Sequence, residues 1–253
     1  MASFKTPVSE YMTQPILGVP TTASALEADR LLDEHAISAL GVLDGDHLVG
    51  VISRTDLLSA ASGESGETFS IPDEPVKRHM TADPVTVDVS TPLDAVAKRM
   101  LADRIHRVFV TKDGVPIGVC STRDLMRAVY DQRIAQPAIE IATRGVVKVK
   151  VDDSLSLAVS RLDASNKHGL VVVDEGWPVG VFSQVDALAA RARDPRTAVD
   201  DVMNLRILAL PPNIPLYVAA GQALALEVRR ILLVDDREIQ GVVSTFDFAR
   251  VVR

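Results

Sequence analysis

A chain of 253 residues, 47% hydrophobic and 24% charged, has the balance of a soluble globular protein and is long enough to bury a real core. Its formal net charge of −7 argues against a general affinity for nucleic acid or an anionic membrane, which needs a clustered basic face. The single cysteine, Cys120, excludes an intramolecular disulfide, no apolar run approaches the ~20 residues of a membrane span, and the N-terminal MASFKTPVSEYMTQP has no apolar signal core, so the expected location is the cytoplasm.

The first predicted element is a short extended stretch, PILGVP at 15–20, followed by an amphipathic run. A strand comes next, SALGVLD at 38–44, then a tight turn at Asp44-Gly45 and a second strand, VGVIS, ending at Ser53. A helix opens at that serine, SRTDLLSAA. Residues 59–75, rich in Gly, Ser and Glu, read as a surface loop.

The same order then returns. PVTVDV at 84–89 precedes a helix expected from Ser90, whose Leu93, Val96, Ala97 and Met100 fall at i, i+3, i+4 and i+7 on one face. HRVFVTK at 106–112, a turn at Asp113-Gly114 and GVCSTRDL complete the second unit. The third runs from VVKVKV at 146–151 through HGLVVVD, Glu175-Gly176 and GVFSQVDA. The fourth runs from RILALP at 206–211 through RRILLVD and GVVSTFDF. Each unit reads strand–helix–strand–strand–helix, an α/β (α+β) class. The motif glycine, two apolar residues, serine, two variable residues, aspartate recurs at Asp56, Asp124, Asp186 and Asp247, at intervals of 68, 62 and 61 residues. The halves are placed at 1–134 and 135–253, with two units each and a join near Gln136-Pro137.

Ser-x-x-Asp at a helix start has an ordinary explanation, the capping box, in which Ser53, Ser121, Ser183 and Ser244 would accept from first-turn N–H groups. Two features point past it. The usual partner in such a box is Glu or Gln, and a glycine always stands three residues before the serine, where a ligand could approach the backbone.

A unit of this size and order ending in G-h-h-S-x-x-D resembles the CBS domain (cystathionine β-synthase domain). Four copies cover nearly the whole chain, about 8–60, 76–131, 137–192 and 198–253, and such domains pair into Bateman modules. The resemblance implies a regulatory protein, not an enzyme, that binds an adenosine-containing ligand. It implies adenine nucleotides such as AMP, ADP or ATP, or S-adenosylmethionine.

Repeats 2 and 4 also resemble γ subunits of AMP-activated protein kinase, in which a His-Arg pair before the strand contacts phosphates. His106 and Arg107 match that pair; Arg229 and Arg230 match it with arginine for histidine. Repeat 1 has Ser38-Ala39 there, and repeat 3 has His168-Gly169 after Lys167. The implied site residues are therefore Asp124, Asp247, Ser121 and Ser244, with His106, Arg107, Arg229 and Arg230; then Asp56, Ser53, Asp186 and Ser183. An ionised carboxylate only accepts, so one Asp can take both ribose hydroxyls, while arginine offers a fork to phosphate. This pairing of Asp and Arg within one repeat favours repeats 2 and 4.

Family members often place a hydroxyl just before the aspartate, which Thr55 matches; Arg123 is a candidate from its place in the same turn of repeat 2. The adenine would lie against first-strand residues such as Thr86, Val87 and Val147. Arginines favour phosphates over the cationic sulfonium of S-adenosylmethionine. The five histidines show no metal-ligand spacing, and no P-loop or G-x-S-x-G occurs. A protein effector and a homodimer are the expected partners.

Overall fold

The computed structural model describes residues 3–61, 70–165, 169–236 and 238–253. Part of the expected loop, 62–69, and both Lys167 and His168 lie outside the described residues.

Repeat 1 contains β1 (Gly18–Pro20), α1 (Ala25–Glu34), β2 (Ala39–Asp44), β3 (His47–Ser53) and α2 (Arg54–Ala61). Repeat 2 contains β4 (Thr81–Ala82), β5 (Thr86–Asp88), α3 (Leu93–Asp103), β6 (Arg107–Lys112), β7 (Val115–Ser121) and α4 (Thr122–Asp131). Repeat 3 contains β8 (Lys148–Lys150), α5 (Leu155–Ala164), β9 (Gly169–Asp174), β10 (Trp177–Ser183) and α6 (Gln184–Ala189). Repeat 4 contains β11 (Ala209–Leu210), α7 (Leu216–Ala225), β12 (Arg230–Asp235), β13 (Glu238–Ser244), a 3₁₀ turn at Thr245–Phe248 and α8 (Ala249–Val252). In every repeat the strand just before the first helix (β1, β5, β8 and β11) pairs in parallel with the strand after it, and a hairpin adds the third strand antiparallel.

Local chemistry explains these boundaries. α3 begins at Leu93, not Ser90, because Asp88 accepts from the Ser90 N–H at 2.9 Å and turns the chain before Pro92. Its buried face is the expected one, Leu93, Val96, Ala97 and Met100. The hairpins of repeats 2 and 3 turn on Asp113-Gly114 and Glu175-Gly176, all four residues at positive φ, which the tight hairpin twist demands. In repeat 1 the turn is Gly45-Asp46, one residue later than Asp44-Gly45, because Asp44 still pairs with His47.

Each hairpin carries the same bulge. Val110 faces Gly118 but Thr111 faces Pro116, so Ile117 is extra; Val49, Val179 and Gln240 are the extra residues elsewhere. The bulge precedes the motif glycine, and the glycine is where another repeat crosses. Thr13 of repeat 1 bonds both ways with Val119 of repeat 2, at 2.8 and 2.9 Å. In return, β4 of repeat 2 pairs with β3 at Gly50 and Val51. Repeats 3 and 4 make the same exchange through Thr143 with Val242 and Asn204 with Val181. A Cβ on Gly118 would stand 2.7 Å from the Thr13 carbonyl, and on Gly180 2.6 Å from Met203 Sδ. The chain itself makes a close approach at these glycines.

Helices make the other contacts. α2 of repeat 1 packs on α6 of repeat 3; α4 of repeat 2 packs on α7 and α3 on α8, both of repeat 4. One core joins Leu93, Met100, Leu125 and Met126 to Leu216 and Phe248. The other joins Leu32, Ile52 and Leu57 to Leu162, Phe182 and Leu188. Strand exchange therefore ties 1 to 2 and 3 to 4, and apolar helix faces tie 1 to 3 and 2 to 4, closing a ring.

Gly118→Ala is expected to cost about 1–3 kcal/mol, since a rigid carbonyl must move. Gly50→Ala should cost less, because its nearest neighbour is the flexible Met80 thioether. Urea melts of both variants check the order; a neutral Gly118→Ala would refute the crossing as the reason for the glycine.

Candidate functional site

All four aspartates cap their own helices. Oδ2 accepts from the backbone N–H and the hydroxyl of the serine three residues earlier in every repeat. The distances are 2.8 and 2.6 Å for Asp56, 2.8 and 2.8 Å for Asp124, 2.7 and 2.7 Å for Asp186, and 2.8 and 2.7 Å for Asp247. The shorter aspartate reaches as well as glutamate because the serine backbone is extended, as at Ser121 with φ −120° and ψ 170°. The capping reading of the motif is therefore realised, and Ser53, Ser121, Ser183 and Ser244 spend their hydroxyl protons on it.

The second oxygen differs between repeats. Asp56 Oδ1 has Thr81 Oγ1 at 3.5 Å. Asp247 Oδ1 has Thr143 Oγ1 at 3.5 Å and Arg250 at 3.2 Å, and the residue is only 3% exposed. Asp124 and Asp186 are half-buried with no such contact at Oδ1 among the described residues. Burial pushes both of their carboxyls above the ordinary range, against the pull of the serine hydrogen bonds.

Arginines converge where the repeats meet. Arg107 donates to Ser38 Oγ of repeat 1 at 3.2 Å. The Arg230 guanidinium lies against Gly169 of repeat 3, so close that a Cβ there would fall 2.7 Å from its central carbon. Burial and then the charge of Arg229 press both guanidiniums down to about 10, with Asp56 opposing this at Arg107 and Asp186 at Arg230. Arg229 keeps an open surface yet has protein packed around it, as on the wall of a concavity. Burial lowers it too, followed by Arg123 and Arg54.

Arg54 itself is held by Asp33 at 2.8 Å and the Ile37 carbonyl at 3.2 Å; Arg123 reaches the Leu224 carbonyl at 3.2 Å. Among the described residues, Arg107, Arg123, Arg229 and Arg230 are not ion-paired to a carboxylate. These four guanidiniums, with no carboxylate salt-bridged to them, make a concentration of positive charge where the repeats meet.

The expected grouping of Asp and Arg within one repeat is not the one the chain makes. Arg107 and Arg230 look across their hairpins to repeats 1 and 3, because each starts a strand whose neighbour in the ring is the other repeat of its half. Asp56 and Asp186 are the carboxylates whose charge acts on Arg107 and Arg230 respectively. The His106 ring packs at a 47° tilt against Phe246 of repeat 4, ring centres 4.9 Å apart. Thr55 is exposed in the first turn of α2. Thr86 stands on the exposed edge strand β5 in register with Phe109, while Val87 and Val147 pack against the two cores.

Sequence reading missed the crossing residues Thr13, Thr81, Thr143 and Asn204. Their signal is a recurring Met-Thr, Ala-Thr or Met-Asn pair just before each extended stretch. A shallow, mostly apolar cleft of about 450 Å³ follows Thr13, lined by Gln14, Pro15, Ile16, Pro116 and Ile117. Among the described residues, no helix is long and apolar enough to cross a membrane, and no group of three His, Cys, Asp or Glu is placed to hold a metal ion.

Four copies of one small fold, exchanging strands in pairs around a cluster of arginines, define a tandem-repeat protein. The chain belongs to the CBS domain family, whose model matches residues 8–63, 76–131, 138–193 and 199–253. It is 25% identical over 268 residues to the uncharacterised protein MJ1404 of Methanocaldococcus jannaschii, covering 97% of this chain but 62% of that protein. It is 30% identical over 147 residues to an uncharacterised 17.7 kDa protein of Acidianus ambivalens, covering 56% of this chain and 86% of that one. Its fold matches MJ1225 of M. jannaschii, a protein proposed as an archaeal homologue of γ-AMPK, with a TM-score of 0.86 at 18% identity, across 98% of this chain and 100% of that one.

Arg107→Met is expected to stabilise the ligand-free protein by about 1–3 kcal/mol, because it removes a dehydrated charge crowded by Arg229. A thermal melt that showed a loss instead would mean the bond to Ser38 outweighs that cost. The raised carboxyls of Asp124 and Asp186 have a definite sign. Their contribution is full below the ordinary value of 3.8 and is lost as pH rises through the higher folded value. Urea melts across that window should show a shallower fall in stability for Asp124→Asn than for the parent chain.

Proposed function

We propose that this protein is a sensor of adenine nucleotides (AMP, ADP or ATP) that regulates a partner protein and catalyses nothing itself. The observation that carries this reading is the cluster of arginines from repeats 2 and 4, with Arg54 of repeat 1 beside it. Nucleotide phosphates would neutralise guanidiniums that the fold leaves dehydrated and unpaired. Asp56 and Asp186 face that cluster and would accept from the ribose hydroxyls through Oδ1, keeping Oδ2 for the helix cap. The apolar cleft along Gln14–Ile16 suits the flat face of adenine. The halves 1–134 and 135–253 would act as Bateman modules, because strand exchange couples the two repeats within each. Neutralising the arginines where the modules meet would shift how they sit together, to the extent that ligand affinity differs between the two arrangements. In this reading the protein works in the cytoplasm as a homodimer with a separate effector.

S-adenosylmethionine is the disfavoured ligand, since its sulfonium would meet the arginines with like charge. A second reading, a non-binding interaction module, is supported by one observation: every motif aspartate is already a helix cap.

Isothermal titration of nucleotide-stripped protein with AMP, ADP, ATP and S-adenosylmethionine separates these readings. Saturable nucleotide binding is expected, roughly tenfold or more weaker in Arg107→Met or Arg230→Met, as befits loss of a charge-assisted hydrogen bond. Response to S-adenosylmethionine alone would overturn the phosphate argument, and silence across the panel would leave the interaction module.

A further inference from the structure

The four aspartates are equivalent in sequence but not in surroundings, and the difference lies three residues further on. That position holds Ser59, Arg127, Ala189 and Arg250 in repeats 1 to 4. Two repeats thus have an arginine one helical turn past the carboxylate, close enough to fold back on it.

Only one of the two does so. Arg127 makes no ion pair with Asp124, though its charge still acts on that carboxyl: it lies over the Tyr11 ring at 5.1 Å and donates to the Tyr11 carbonyl at 2.8 Å. Tyr11 sits just before Met12-Thr13, the segment that crosses β7. The matching residue before Ala142-Thr143, which crosses β13, is Ile141, an aliphatic side chain 8% exposed in the core. With no ring to draw it off, Arg250 pairs with Asp247 Oδ1 at 3.2 Å.

The count of acceptor positions follows. A carboxylate has about four lone-pair directions. At Asp247 two are used by Ser244, one by Arg250, and Thr143 Oγ1 lies at 3.5 Å from the same oxygen. The side chain retains 4% of its surface. Two ribose hydroxyls could bind there only by displacing an arginine that already neutralises the charge.

We infer that Arg250 closes the repeat 4 site, so that Asp247 is a structural cap and the chain offers open aspartates only in repeats 1, 2 and 3. The ligand named here rests on the nucleotide-sensing reading above; the closure itself rests on geometry alone.

Both parts can be tested on the intact chain. Carboxylates are coupled to an amine with a water-soluble carbodiimide and read by peptide mass spectrometry. Asp124 and Asp186 should label severalfold faster than Asp247. Arg250→Ser, which installs the residue repeat 1 carries at Ser59, should bring Asp247 towards the Asp124 rate, and Arg250→Gln should do the same in part. Arg250 has 47% of its side chain in solvent, so neither change disturbs the core. Equal labelling of Asp247 and Asp124 in the parent chain overturns the inference. In AMP titrations, the serine variant should bind one more equivalent per chain than the parent. An unchanged stoichiometry, with AMP bound to the parent, also overturns it. Protection of Asp247 without AMP binding to either protein upholds the closure and defeats the nucleotide reading.

Discussion

Each repeat completes its neighbour's sheet. A two-residue segment lies across the bulged strand of the other repeat, and the glycine beneath it leaves no room for a side chain. A three-stranded sheet with a two- or three-residue edge strand is a poor independent fold. The crossing segments add backbone hydrogen bonds to that sheet and carry the linkers to the partner's helix termini. Because the exchange is mutual, neither repeat of a half is complete alone. Everything at the centre of the molecule, including which arginine meets which aspartate, depends on this arrangement.

The ring then sets charge against stability. Helix faces between halves are apolar and close-packed, as at Met100, Leu125 and Phe248. The place where four repeats meet is lined by guanidiniums that burial and mutual repulsion push down in pKa. A fold selected for stability alone would fill such a place with apolar side chains. Among the described residues, the only carboxylate held directly by a member of this group is Asp33, on Arg54, and it lies to one side. Strain of this kind is usual where a ligand completes the charge balance.

Repetition does not make the four units equal. At the strand start, Arg107 and Arg230 stand where repeats 1 and 3 have Ala39 and Gly169, and the bare backbone of Gly169 is what lets Arg230 come so close. At the position before, His106 packs at a tilt against Phe246 while Arg229 joins the charged cluster. One turn into the last helix, Arg127 and Arg250 begin from equivalent places and end on different partners, because one linker supplies Tyr11 and the other Ile141. Each difference is a single side chain on a nearly identical backbone.

Sequence alone determined the unit, its order of elements, its fourfold recurrence and the helix-capping serine and aspartate. These follow from local rules of periodicity, hairpin turns and caps, which act within a dozen residues. It also picked out His106, Arg107, Arg229 and Arg230 as the unusual basic residues. Tertiary structure alone decided that the motif glycines serve a crossing chain, that Arg107 and Arg230 look to the aspartates of repeats 1 and 3, and that Asp247 is shut by Arg250. The physical reason is that contacts between repeats are set by strand exchange and helix packing between residues far apart in the chain, from Val181 with Asn204 to Thr122 with Thr245, whose hydroxyls meet at 3.0 Å. No local pattern encodes which of four similar surfaces will face another.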